Sequence, residues 1–260
     1  MEVTLFRPRS AVLAALAAAV LLAPASAFAA AEVHRLNIAL SGVPTQLNGG
    51  DFNEAVDYYN RSALQPRGFE PLDKVKFAFL FDAELRYFVT RNLSVNAGVG
   101  HLRASTDREY LPALLQSINV RAEIITVPVH VGASYYLQPY TQGDFQARLF
   151  AGGGFVQYTH TRTTFLQQIT GADEPTSEEL GGSFKREATQ DAPGYYGEGG
   201  VQMFFAARYS VLLSAYYRSG ELAGFVDENS GETVQNPNTN KPFRLDVGGV
   251  GFRMAAVIGF

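Results

Sequence analysis

Eight stretches of this chain alternate apolar and polar side chains with a period of two, each over roughly ten residues or more. In the stretch 75–89, for example, every second side chain is apolar, and Asp82, Glu84 and Arg86 lie between them. This period is typical of a β-strand with one apolar and one polar face. The predicted strands are 33–42, 75–89, 93–103, 121–137, 145–163, 195–205, 210–219 and 243–260. The sequence therefore predicts an all-β fold with eight strands.

The connections between these strands are short and long in strict alternation. Those after the second, fourth and sixth strands are short: 90–92, 139–144 and 206–209. Those after the first, third, fifth and seventh are long: 43–74, 104–120, 164–194 and 220–242. An antiparallel barrel that crosses a membrane has short turns at one end and long loops at the other. An even number of strands also returns the C-terminus to the end at which the first strand begins.

The last strand carries the most specific pattern. Every second residue back from Phe260 is apolar, through Ile258, Ala256, Met254 and Phe252, and the printed chain stops at the aromatic residue. This strand resembles the final strand of bacterial outer-membrane β-barrels, and the chain is similar in architecture to the small OmpA/OmpX/OmpW group. The resemblance implies an eight-stranded antiparallel up-and-down transmembrane β-barrel in the outer membrane of a Gram-negative bacterium. It also implies a monomer surrounded by outer-membrane lipid and lipopolysaccharide, with Phe260 as the signal that the barrel-assembly machinery reads.

The N-terminus predicts export. Arg7 and Arg9 precede the apolar run 11–23, and a stretch of small residues with A-x-A patterns follows. A run of thirteen is shorter than the roughly 20 residues that a membrane-spanning helix needs. We expect a signal peptide over 1–29 and a barrel domain over 30–260. Cleavage after residue 29 is preferred, although sites after 27 and 31 also fit.

Alternation by itself leaves open which face points inward, because a soluble, lipocalin-like barrel would bury the apolar face. The polar face carries charges of both signs, which could pair across a closed lumen. Together with the loop asymmetry and the terminal Phe, this favours the membrane barrel with the polar face inside. The expected lumen network is Asp82, Glu84, Arg86, His130, Arg148, Glu198, Arg218 and Arg253. Buried charges are tolerated only when paired, so we expect the arginines to meet the carboxylates in a lumen filled by side chains.

Little else in the sequence suggests chemistry. The net charge of −4 argues against nucleic acid as a partner, and there is no cysteine for disulfide or thiolate chemistry. The four histidines lack metal-ligand spacing, so we expect no metal and no cofactor. His130 could form a hydrolase triad with Ser134 and Glu198, but a lumen hydrogen bond is the favoured interpretation. We therefore expect a structural or surface-interaction role rather than an enzyme. The alternatives are a narrow channel for small hydrophobic molecules and, more remotely, a lipid A-modifying enzyme.

Two long loops contain apolar clusters, at 51–60 and 111–115. The first has helical spacing with Asp51 placed as its N-cap. The clusters could cover the barrel mouth or bind a ligand there, but we favour packing of the loops on each other. The polar stretch 171–194 is predicted to be mobile, and the acidic residues at 227–228 to be solvated rather than to bind a cation.

Overall fold

The computed structural model describes residues 34–111, 116–142, 145–171, 182–205 and 208–260. The strands of these residues are β1 Leu36–Gln46, β2 Phe77–Phe88, β3 Leu93–Tyr110, β4 Ser117–Tyr136, β5 Tyr140–Gln142, β6 Phe145–Thr170, β7 Phe184–Phe204, β8 Tyr209–Ser219, β9 Glu221–Ala223, β10 Val226–Asp227, β11 Arg244–Asp246 and β12 Gly249–Gly259. Eight of them form an antiparallel ring in the order β1-β2-β3-β4-β6-β7-β8-β12, which β12 closes by pairing with β1. This confirms the predicted eight-stranded barrel. The predicted signal peptide and its cleavage site lie outside the described residues.

The outer surface of the barrel is apolar at mid-height. Leu40, Val131 and Met254 expose 51%, 55% and 60% of their surface, whereas the adjacent polar residues Ser41, His130 and Arg253 are buried. A continuous apolar band would make a protein in water prone to aggregation, but in a bilayer it contacts the lipid chains. The polar face is therefore the inner one, as the membrane interpretation predicts.

Exposed aromatic residues lie near both ends of this band. Those near the short turns are Tyr87, Tyr135, Phe145, Phe205 and Phe260, and those nearer the long loops are Phe77, Tyr195, Tyr217 and Phe252. Aromatic rings at these two heights match the two membrane–water interfaces. No helix among the described residues is both long and apolar enough to cross a membrane.

Four strands continue well beyond the band. β3 ends at Tyr110 and β4 begins at Ser117. Likewise, β6 ends at Thr170 and β7 begins at Phe184. The prediction of loops over 104–120 and 164–194 was therefore wrong, because much of both segments is β-strand. We call this part of the molecule the extension: the ends of β3, β4, β6 and β7 beyond the level of the β6 bulge described below, together with residues 47–76 and 220–248.

The alternation pattern did not predict the extension, because the inner and outer faces of its strands exchange their polarity. Within the band the inner face is polar, but in the extension Leu102, Val120 and Ile124 are fully buried on the inside. The outer face there carries ion pairs such as Arg103–Glu123, at 2.5 Å. Water replaces lipid around this part of the barrel, so the ordinary arrangement of a soluble protein returns.

One irregularity, in β6, marks the transition. The β4–β6 register shifts between Ile125 and Val127, and the β6–β7 register shifts between Tyr158 and Thr161, where His160 has a φ of 51°. Both shifts come from one extra residue in β6, because the inward residues of β3, β4 and β7 remain even-numbered throughout. The extra residue moves the later side chains of β6 to the other face. A simple alternation pattern is lost at that point.

A helix seals the extension from one side. Helix α1, Asp51–Tyr59, continues through a π-helical turn, Asn60–Leu64, and a 3₁₀ turn, Gln65–Arg67. Phe52 and Val56 are buried in the apolar core of the extension. The predicted N-cap was wrong by one residue, because Gly50 occupies that position. The Asp51 carboxylate instead accepts a hydrogen bond from the backbone N–H of Arg244, at 2.9 Å.

Two asparagine side chains attach the returning segment to the helix. Asn60 accepts from the N–H of Leu72 at 2.8 Å and donates to its carbonyl at 2.9 Å. Asn53 makes the same pair of contacts with Val75, at 2.8 and 2.9 Å. The first long loop is thus packed and pinned to the fold.

The first loop also contacts the end of β3. The ring centroids of Phe69 and Tyr110 lie 5.1 Å apart, and the Tyr110 hydroxyl donates to the carbonyl of Glu70 at 2.8 Å. Leu111, from the second predicted cluster, is 76% exposed, and residues 112–115 lie outside the described residues.

Candidate functional site

Six charged or titratable side chains meet inside the barrel, in what we call the charged layer. They are Asp82, Glu84, Arg86, His130, Glu198 and Arg253, and each is at most 8% exposed. Four strands supply them: β2, β4, β7 and β12. In the ring order, β2 faces β7 across the lumen and β4 faces β12, so the layer spans the barrel along two crossing diameters.

Arg86 joins the walls formed by β2 and β7. Its guanidinium contacts Glu84 on its own strand and donates to the Glu198 carboxylate at 2.7 Å. The third donor reaches the Tyr136 hydroxyl at 2.7 Å, and the guanidinium carbon lies 5.3 Å from the centroid of Phe150. Every face of this buried cation therefore has a partner, which is what makes its burial tolerable.

Arg253 approaches the same carboxylates from β12. It donates to Asp82 at 2.8 Å, to Glu84 at 3.2 Å and to Glu198 at 3.1 Å. Its Nε donates to the Ser41 hydroxyl at 3.0 Å. Planar guanidinium groups suit this role because their donors diverge in a fixed fork.

His130 completes the layer from β4. Its Nε2 lies 3.1 Å from Glu84 and its Nδ1 3.6 Å from Asp82. The layer thus holds three carboxylates, two guanidinium groups and one imidazole. The ring also packs edge-on against Tyr196, with centroids 5.2 Å apart.

Two of the expected arginines lie outside the charged layer, although both are buried in the lumen. Arg148 donates to the carbonyls of Arg91 and Leu137 and lies over the Tyr136 ring, near the short turns. Arg218 donates to the carbonyl of Val247 at the opposite end. The expectation that these two pair with the carboxylates is wrong, because they lie at other heights in the lumen.

The site offers neither a convincing metal site nor the hypothetical triad. Asp82, Glu84 and His130 bring ligand atoms within 4.8 Å of one another, but Arg253 already binds both carboxylates. A second cation at that point would face a fixed positive charge. The Ser134 hydroxyl accepts a hydrogen bond from Asn96 at 2.8 Å rather than lying beside His130 as a nucleophile.

Apolar packing lies on both sides of the charged layer. Toward the short turns, seven residues form a cluster: Ala39, Phe88, Tyr136, Phe150, Leu212, Ala255 and Val257. Toward the long loops, Tyr196 and Tyr216 stack with centroids 5.7 Å apart and join the core of the extension. The charged layer is thus enclosed between two apolar layers.

Glycines make room for the large inward side chains. A Cβ on Gly98 would lie 2.5 Å from the His130 ring, and one on Gly132 would lie 2.4 Å from the Tyr196 hydroxyl. Gly152 and Gly154, in the run 152–154, are likewise in close contact with β4. These glycines permit close packing of neighbouring strands.

Sequence reasoning missed the uncharged members of the site. Tyr136 and Ser41 bind the two central arginines, and Tyr196 covers His130. All three lie on the inner face of a predicted strand. Their position in the two-residue alternation of each strand was the available signal. Nothing in the sequence distinguishes them from other inward polar residues.

The family model described as the outer membrane protein beta-barrel domain matches residues 15–247. The chain belongs to this family. Its closed ring, exposed apolar band and filled lumen agree with this assignment. Among curated proteins, none matches the chain.

Solved structures of other barrels are similar at low identity. OprG of Pseudomonas aeruginosa has 12% identity and a TM-score of 0.49, with 88% of this chain and 98% of that chain covered. Ail of Yersinia pestis, in complex with the heparin analogue sucrose octasulfate, has 12% identity and a TM-score of 0.40, with 87% and 98% covered. The protease OmpT of Escherichia coli has 9% identity and a TM-score of 0.28, with 86% and 95% covered.

Proposed function

We propose that this protein is a closed, non-enzymatic barrel in the outer membrane of a Gram-negative bacterium, with a structural or surface-interaction role. The observation that carries the proposal is the charged layer, whose arginines bind carboxylates on opposite walls of the lumen. Ion pairs across a lumen oppose its widening, and eight strands leave an interior that side chains can fill. The extension then serves as the part of the molecule that faces the surroundings of the cell.

The partners follow from the same arrangement. Lipid chains, including those of lipopolysaccharide, would contact the exposed apolar band. The barrel-assembly machinery would read the terminal strand, where Phe260 is 58% exposed and its N–H donates to the carbonyl of Leu36. Because the eight strands of the described ring close on themselves, the ring presents no edge for pairing with a second copy, which supports a monomer.

The proposal predicts that the purified barrel conducts no steady ionic current. In planar lipid bilayers, we expect the refolded protein to stay at the baseline at potentials where a general porin, inserted in the same bilayers, conducts. The physical reason is that two apolar layers enclose paired charges in the lumen. A steady conductance like that of the porin would contradict the closed barrel and favour the channel alternative.

The proposal also predicts the orientation of the chain in the membrane. Because the chain has no cysteine, single Cys substitutions can be labelled without background. We expect a membrane-impermeant maleimide to label Ser230→Cys, in a long loop, on intact cells. Arg91→Cys, in a short turn, should react only after the outer membrane is permeabilised. The reverse pattern would overturn the assigned topology.

A further inference from the structure

The extension contains a cavity of about 840 Å³ between α1, the outer parts of β6 and β7, and the loop after β10. Its walls include Tyr59 from the helix, Phe165 and Phe184 from the sheet, and Glu232 from the loop. Ligand sites in proteins typically have volumes of about 300–1,000 Å³ and combine apolar walls with a few polar groups. This cavity has that size and composition and lies outside the lumen.

Aromatic rings form one wall of the cavity. The rings of Phe165 and Phe184 are within 7° of parallel, with centroids 6.2 Å apart. Tyr59 packs edge-on against Phe165 at 4.8 Å. Both phenylalanines are only partly buried. Partly exposed parallel rings can pack against a further flat ring.

Tyr59 is held in place and neutral. Its hydroxyl donates to the side-chain oxygen of Gln167, and burial raises the pKa of Tyr59 to about 12. The helix side of the cavity therefore presents a fixed, uncharged ring at physiological pH.

Arg186 is the cation available in this cavity. Its guanidinium carbon lies 5.8 Å from the centroid of Phe184. Within the described parts of the chain, no carboxylate oxygen lies within 4.0 Å of it. Asp227, which also lines the cavity, feels this charge, because backbone hydrogen bonds and then Arg186 lower the pKa of Asp227. The guanidinium donors remain available for charge-assisted hydrogen bonds beside an aromatic wall.

Neighbouring charges are already engaged. Lys185 pairs with Glu187 at 2.8 Å, and its hydrogen bond holds the pKa of Glu187 below the usual range. The Asp227 carboxylate accepts from the N–H groups of Asn229 and Ser230, both at 2.9 Å. Glu232, on the loop wall, makes no ion pair with the described residues and weakens the positive potential there.

We propose that this cavity binds a small, flat organic acid, whose ring packs on Phe184 and Phe165 and whose carboxylate pairs with Arg186. The aromatic wall selects a planar apolar body, and the guanidinium beside it selects an anionic group. This inference goes beyond the proposed function, and it holds whether or not the lumen conducts.

The test uses the full refolded chain in detergent and 2-naphthoate as the probe, with 2-naphthalenemethanol as its uncharged analogue. In isothermal titration calorimetry we expect saturable one-to-one binding of 2-naphthoate and binding of the alcohol at least about 10-fold weaker. A hydrogen bond to a charged group contributes roughly 1.5–3 kcal/mol, about a 10-fold change in affinity or more. Arg186→Gln should therefore weaken 2-naphthoate binding by about 10-fold, and Phe184→Leu should weaken both probes.

Matched variants separate recognition from damage to the fold. Arg121→Gln removes a cation from the extension that does not line the cavity, and we expect it to leave binding unchanged. Glu232→Gln should strengthen 2-naphthoate binding, a gain that a damaged fold would not produce. No saturable binding to the wild type, or equal affinity of Arg186→Gln and Arg121→Gln for 2-naphthoate, would overturn the proposal.

Discussion

Glu84→Ala is expected to lower the free energy of unfolding of this barrel by about 3–5 kcal/mol, the usual cost of removing one partner from a buried charge network. Glu84 is 1% exposed and contacts Arg86, Arg253 and His130. Its loss leaves two guanidinium groups short of a counter-charge in a space closed to bulk water. The measurement is denaturant unfolding of the protein in detergent or lipid, followed by circular dichroism.

The matched control is Glu221→Ala. Glu221 also pairs with an arginine, Arg244, at 3.1 Å, but both side chains are at least 60% exposed. Exposed pairs contribute little, about 0–1 kcal/mol, so this variant should unfold nearly as the wild type does. Glu84→Gln keeps the volume and some hydrogen bonding and should fall between the two. If Glu84→Ala proved no more damaging than Glu221→Ala, the charged layer would not stabilise the barrel.

Gly132→Ala, at the single glycine of β4, is expected to destabilise the barrel strongly. Its Cβ would lie 2.4 Å from the carbonyl oxygen of Gly153 and 2.4 Å from the Tyr196 hydroxyl. A side chain can rotate away, but the carbonyl belongs to the neighbouring strand, so the β4–β6 pairing itself must shift. We expect a loss at or above the upper end of the roughly 1–3 kcal/mol typical of overpacking, or failure to refold.

Gly197→Ala tests whether position rather than residue type decides this effect. A Cβ on Gly197 would have its nearest neighbour at 3.9 Å, an ordinary van der Waals contact. Refolding yield and the shift in electrophoretic mobility on heating should therefore be normal for Gly197→Ala and impaired for Gly132→Ala. Similar behaviour of the two variants would contradict the close packing of β4 against β6 at the level of Tyr196.

Much of the candidate site could be predicted, because parity along a strand assigns each residue to a face. All eight charged or titratable residues expected in the lumen are buried there. Their partners could not be predicted in the same way. Arg86 and Glu198 are separated by 112 residues and Arg253 and Asp82 by 171, so their contacts depend on the closure of the ring and on the height of each residue in it. Arg148 and Arg218 lie on the same inner face as the carboxylates, but at other heights along the barrel, and therefore do not pair with them.

The sequence by itself determined the barrel, because two-residue alternation and alternating loop lengths leave few other ways to bury one face and satisfy every backbone group. It did not determine the extension. There the faces exchange their chemistry, an extra residue shifts the parity of β6, and the segment 184–194 is too polar, and too close to Pro193 and Gly194, to indicate a strand. Only tertiary packing decided the structure of these segments. Their backbone hydrogen bonds go to neighbouring strands that the barrel already aligns. The apolar side chains of α1 then complete a core that no local pattern encodes.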